Sequence, residues 1–159
     1  MNRKRTIVIG LAFPFALLLA GCHSAPSVEP EGDYVEMRPL IYNYDTVFDC
    51  VAEAIAEECL SVKEADRVHG SLESDVVPGA EDRLKGFQTG KRIRARVVTR
   101  GPKDFMVRVA ATRLSRDLNR DNTTGEWRYA GADEDLLAKF KARFDKQVDK
   151  RYKAPDRGG

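Results

Sequence analysis

The most restrictive feature of this sequence is a pair of alternating runs joined by a short polar turn. Ile93, Ala95, Val97 and Thr99 alternate with Arg92, Arg94, Arg96, Val98 and Arg100. After Gly101-Pro102-Lys103-Asp104 the alternation resumes, with Phe105, Val107, Val109 and Ala111 against Met106, Arg108, Ala110 and Thr112. A period of two puts one set of side chains on a core face and the other toward solvent, the signature of a half-buried strand. A connection this short closes an antiparallel hairpin, whereas a parallel pair needs a crossover of a dozen or more residues. The chain must therefore supply something apolar to cover one face of that hairpin.

Two amphipathic helices are available for the task. The first is expected to begin near Asn43 or Asp45, either of which suits an N-cap. Phe48, Val51, Ala52, Ile55 and Cys59 share one face of it, and Asp49, Glu53 and Glu57 lie around the other side with Cys50 among them. This spacing predicts a core thiol at Cys59 and a partly exposed one at Cys50. The second helix is expected to start at an Asp133 cap, with Glu134 and Asp135 in its first turn and Lys146, Lys150 and Arg151 near its end. Leu136, Phe140, Phe144, Val148 and Tyr152 recur every four residues along it, as a core-facing stripe does.

The remaining segments are shorter. Val35, Met37 and Ile41 suggest a strand that Pro39 confines to an edge or an end. From Leu60 to Val77 the pattern is extended, with Val62, Val68, Gly70, Leu72 and Ser74 on one parity and His69-Gly70 marking a turn or bulge. Residues 78–90 are expected to form a loop carrying Glu81, Asp82, Arg83 and Lys85, and Asp121 to Gly125 a turn before a short segment at Trp127 and Tyr129. The expected fold class is α+β over residues 34–153: a two-layer sandwich, with an antiparallel sheet of three to five strands and both helices on one face. Residues 154–159 are expected to be a disordered tail.

The amino terminus has the three parts of a secretory signal. Arg3-Lys4-Arg5 precede an uncharged apolar run from Thr6 to Ala20, and small residues lead to a cysteine. That run falls short of the roughly 20 residues a membrane-spanning helix needs, and Pro14 interrupts it. Leu19-Ala20-Gly21-Cys22 resembles the lipobox of bacterial lipoproteins. The resemblance implies a signal peptide over residues 1–21, lipid on the Cys22 thiol, cleavage after Gly21 and acylation of the new amino terminus. Several acyl chains on one residue give stable anchoring, each buried methylene contributing about 0.8 kcal/mol. His23 stands where such lipoproteins carry an aspartate if retained at the inner membrane. The expected location is thus the cell envelope, at the outer membrane facing the periplasm in a Gram-negative source. Residues 22–33, rich in Pro, Ser, Glu and Gly beyond the cysteine, read as a tether able to span about 35 Å when extended.

Charge and cysteine usage exclude several functions. Three of the 27 basic residues precede Cys22 and none of the 25 acids do, so the remainder is close to neutral and offers no bulk case for nucleic-acid binding. Cys50 and Cys59 lie about 13 Å apart along a helix, too far for a disulfide, so the framework is not disulfide-based. With His23 in the tether, only His69 remains in the domain, which argues against a histidine-based metal site or a Ser-His-Asp triad. There is no CxxC pair, nucleophile elbow or phosphate-cradling glycine loop. No catalytic residue, metal or cofactor is expected, and an envelope hydrolase would need a convergent polar site that the sequence does not display.

One stretch does resemble a known family. Tyr44-Asp45-Thr46-Val47-Phe48, a helix ending near Leu60-Ser61-Val62, and Asp66-Arg67-Val68-His69-Gly70-Ser71-Leu72 look like the repeating unit of small envelope lipoproteins such as the domains of the outer-membrane assembly lipoprotein BamC. About thirty residues are covered, mostly structural ones, and the glycine usual before the strand is replaced by Cys59 or its neighbours. The resemblance carries no binding residue with it.

Charge segregation is the remaining functional signal. Between Lys91 and Arg128 there are eleven basic residues against four acids. Arg92, Arg94, Arg96 and Arg100 share one strand face, with Arg108 expected beside them. The bland account is a solvated sheet face whose arginines pair with Glu73 and Asp75. The sharper account is an anion-reading surface for lipid headgroups, glycolipid phosphates or an acidic partner protein, since the planar guanidinium binds phosphate and carboxylate by two parallel bonds. The expected function is a non-enzymatic, membrane-anchored envelope accessory that binds a protein partner or an anionic envelope component. The alternative is a carrier of a small apolar ligand or lipid, held in a cleft near Phe105, Phe140 and Phe144.

Overall fold

The computed structural model describes residues 33–39, 43–59, 61–118 and 125–153. The signal peptide, Cys22, nearly all of the tether, Ile41, residues 121–124 of the expected turn and the tail at 154–159 lie outside the described residues, as do the side chains of Cys59 and Tyr152.

The fold is α+β, in the order β1 (Val35–Met37), α1 (Tyr44–Cys59), β2 (Val62–Asp66), β3 (Ser71–Ser74), β4 (Val77–Asp82), β5 (Phe87–Gly101), β6 (Asp104–Asp117), β7 (Arg128–Ala132) and α2 (Glu134–Lys153). All strand pairings are antiparallel. The order across the sheet is β1-β6-β5-β3-β2, with β4 also pairing β5 and β7 also pairing β6. Seven strands therefore form among the described residues, where three to five were expected.

The hairpin at 92–112 is the middle of a longer ribbon that runs from Phe87 to Asp117. Its register sets Ile93 opposite Ala111, Ala95 opposite Val109 and Val97 opposite Val107. Those six side chains join Phe48, Val51, Ile55, Leu136, Phe140, Phe144 and Val148 in one core. Fully burying an aromatic or aliphatic side chain contributes roughly 1.5–3 kcal/mol, so this core is what holds both helices to the ribbon.

Both helix starts are capped where expected. The Asn43 Oδ1 accepts from the amides of Asp45 and Thr46, at 3.0 and 3.4 Å. The Asp133 Oδ1 accepts from the Leu136 amide at 3.0 Å. The helices are also tied to each other, because Arg143 reaches Glu58 at 2.8 Å and Arg151 binds Glu53.

Three expectations are corrected. The segment expected as a loop at 78–90 is the β4–β5 hairpin, turning at residues 83–86. It lacks apolar alternation because backbone pairing with β5, and not burial, holds it. Val68 does not share a buried parity with Leu72: it sits in the β2–β3 turn and is 88% exposed. Cys50 is fully buried, not partly exposed. The buried arc of α1 takes in Val47, Cys50 and Ala54 as well as Phe48, Val51 and Ile55, since α1 packs against α2 as well as the sheet.

A cationic groove at the open edge of β5

Side chains at even positions of β5 and β6 point away from the helices, and the five arginines singled out by sequence all lie on these strands. They do not form a uniform row. Arg92 lies 3.2 Å from Glu73 on β3, one of the two carboxylates expected to neutralise the face. The other, Asp75, is bound by Ser61. Arg94 is partly buried with its guanidinium 5.9 Å from the Tyr34 ring centre, and burial holds its pKa below the ordinary arginine value. Arg108 gives both Nε and Nη2 to Glu36 Oε1, at 3.2 and 3.0 Å, and Arg100 comes within 3.9 Å of the same carboxylate. Arg96 is exposed and has no ion pair among the described residues.

Arg96 stands directly opposite Arg108 in the β5–β6 register. Like charges at that position repel across about 5 Å between Cβ atoms. Glu36 pairs with Arg108 and approaches Arg100, but it forms no ion pair with Arg96. On the other side Arg96 faces Ser71, and beyond Ser71 lies Asp66. Asp66 is already committed: its Oδ1 accepts from the amides of Val68 and His69 at 2.9 and 3.1 Å, and its Oδ2 lies 2.6 Å from His69 Nδ1. These bonds hold the Asp66 carboxyl below its usual range, with the His69 side-chain bond the largest cause.

The β2–β3 turn bends over this region. Gly70, at φ 70°, accepts at its carbonyl oxygen from the Val97 amide at 2.8 Å, and a Cβ there would collide with the Val97 carbonyl oxygen. Past Val97, no described strand pairs with β5 on the β3 side. An open groove of about 590 Å³ occupies the gap. Ten of the described residues line it, among them Arg67, His69, Arg96, Thr99, Arg108 and Tyr44, and none of these ten is aspartate or glutamate.

Arg67 completes the groove from the turn. It reaches Asp45 at 3.2 Å, binds Asp49 one helical turn further on, and stacks over the Phe48 ring at 4.7 Å. These contacts fix the turn to α1 and raise the Arg67 pKa, Asp49 being the main cause. Sequence reasoning found Arg96 and Arg108 through the strand alternation but missed Arg67, and it weighed His69 as a turn marker and for catalysis or metal binding, not as part of an anion groove. The signal for both lay in Asp66-Arg67-Val68-His69-Gly70, and using it requires the β3–β5 register, which is not local.

Other cations on this side of the sheet serve packing. Arg116 gives Nε and Nη2 to Gln88 Oε1 at 2.8 and 2.6 Å and stacks over Trp127 at 4.4 Å. Phe105, Phe140 and Phe144, near which an apolar cleft was expected as the alternative, belong to the core. All three are buried in the common core, and Phe140 stacks on Phe144 at 6.1 Å.

No protein-family model matches the chain, and no curated protein matches it. Among solved structures it is similar to a DUF4468 family protein from Bacteroides ovatus, at 12% identity and a TM-score of 0.33, over 84% of this chain and 94% of that one.

Proposed function

We propose that this protein is a lipid-anchored accessory of the bacterial envelope, without enzymatic activity, that captures an anionic partner in the groove at the open edge of β5. The observation that carries the reading is Arg96: an exposed guanidinium without an ion pair among the described residues, opposite a second arginine, in a groove whose described lining has no aspartate or glutamate. The lipobox at Leu19 to Cys22 supplies the anchor, and His23 favours the outer membrane where the envelope is Gram-negative. In the two-layer arrangement both helices cover one sheet face, and the exposed Arg96 at the rim of the other is what a partner would meet. That partner is a protein or an anionic envelope component. Nucleic acid is not favoured by the near-neutral charge of the chain after Cys22.

In-cell photocrosslinking from positions 68 and 98, which line the groove without supplying its charge, tests the proposal. Val68 stands on the groove's rim, so a discrete adduct from both positions is expected, and it should vanish when Arg108 is reversed to glutamate. Lipidated, folded chain that gives no adduct from either position would refute it. Metabolic labelling with a fatty-acid analogue tests the anchor separately, since label must disappear in Cys22→Ser.

A further inference from the structure

We infer that the group recognised in the groove is a tetrahedral phosphate carried as a monoester or as free phosphate. The inference rests on the groove being the binding site and adds the chemistry of what it holds. A planar carboxylate presents only two oxygens in one plane, and Glu36 uses one of them for both Arg108 bonds while the other lies 3.9 Å from Arg100. Arg96 and Arg108 instead project from facing positions of adjacent strands. A dianion with three outward oxygens can accept from both at once, and it relieves their repulsion more fully than a monoanion does.

Arg108 spends Nε and Nη2 on Glu36, which leaves Nη1 without a bond among the described residues. Arg96 has its whole fork to give. Arg67 adds positive potential from the turn, although Asp45 and Asp49 hold it there, and His69 is held by Asp66. Thr99 also lines the groove, although its side chain has the opposite parity to those of Arg96 and Arg108. The Tyr44 hydroxyl donates instead to the Arg67 carbonyl at 2.6 Å, so it braces the site and does not compete for the ligand. Hydrogen bonds, not covalent steps, account for the whole interaction.

The test follows the arginine Nε–H signals of the full chain in detergent micelles by nitrogen-15 NMR. Inorganic phosphate, glucose 1-phosphate and dihexanoyl phosphatidic acid are the probes, with acetate at matched ionic strength as the planar control. Saturable shifts at Arg96 and Arg108 with phosphate, and none with acetate, are expected. Arg96→Gln should weaken binding about tenfold or more, the effect of losing one charge-assisted bidentate contact. Arg83→Gln, on the exposed β4–β5 turn, should leave it unchanged.

Glucose 1-phosphate binding as tightly as the lipid identifies a soluble phosphate, and tighter binding of phosphatidic acid identifies a lipid headgroup; either supports the inference. Acetate matching phosphate, an absence of saturation, or an unaltered response in Arg96→Gln overturns it. A protein adduct from position 68 beside any of those failures leaves the accessory function standing with a carboxylate-bearing partner, whereas loss of both removes the groove as a site.

Discussion

The Tyr44 hydroxyl donates to the carbonyl oxygen of Arg67 at 2.6 Å, joining the first residue of α1 to the turn between β2 and β3. The Tyr44 ring also lies 6.0 Å from Phe105 and 6.1 Å from Phe48, so one side chain links helix, turn and ribbon. Tyr44→Phe keeps the ring contacts and removes the bond. It is expected to cost about 1 kcal/mol in chemical denaturation, the usual net value of one hydrogen bond. Backbone amides of residues 67–70 should exchange faster in the variant, while those of β5 and β6 hold.

Gly90 faces the Trp127 ring so closely that an added Cβ would lie 2.8 Å from two of its carbons and 2.9 Å from Val76. Gly90→Ala should therefore push the indole off the sheet and away from Arg116. A loss of roughly 1–3 kcal/mol is expected from overpacking of this kind. Trp127 is the only tryptophan, so the displacement will be read directly as a red shift of its emission.

Asp133 caps α2 and also lies 3.5 Å from the Lys91 ammonium, although its side chain is nearly buried. Asp133→Ala removes both interactions at a helix start. The expected cost is about 1–2 kcal/mol, and Lys91→Met should reproduce only a small part of it. Thermal unfolding of the two variants and their combination separates the cap from the ion pair.

Cys50 offers a pH test. Burial pushes its thiol above the ordinary value, Arg151 draws it partly back, and Glu53 and Asp49 raise it further. The folded protein thus holds this proton more tightly than the unfolded chain does. The resulting stabilisation is fully present below the unfolded thiol range and is lost as pH rises through the raised folded value. Denaturation midpoints should fall above about pH 9, and Cys50→Ala should flatten part of that fall. Tyr44 and Tyr129 are also raised, Tyr44 mainly by burial and Tyr129 mainly by its bond to Asp33, so the comparison must be made between variants. Mass spectrometry of the Cys50 peptide should find it protected from iodoacetamide until the protein unfolds.

What the sequence made legible was local. Alternation at 92–112 located the ribbon, and Asn43 and Asp133 located both helix starts, because each signal acts within a few residues. Cys50 was misplaced because a helix packed on a sheet and on a second helix buries a wider arc than a single apolar stripe reveals. Residues 77–82 lack the alternation of a half-buried strand, and Pro78 and Gly79 discourage one, yet the ladder with β5 forms. The arginine face was visible as a pattern, but its division into paired and unpaired cations was not. Glu36 and Arg108 are 72 residues apart, and only the β1–β6 register brings them together.

That register has a mechanical consequence. Tension on the amino-terminal side of the chain enters the fold at β1, a three-residue strand at the sheet's margin that pairs with β6 alone. If load pulls β1 from β6, Glu36 goes with it. Arg108 and Arg100 would then stand unneutralised beside Arg96, and the groove would draw anions most strongly while the molecule is being pulled.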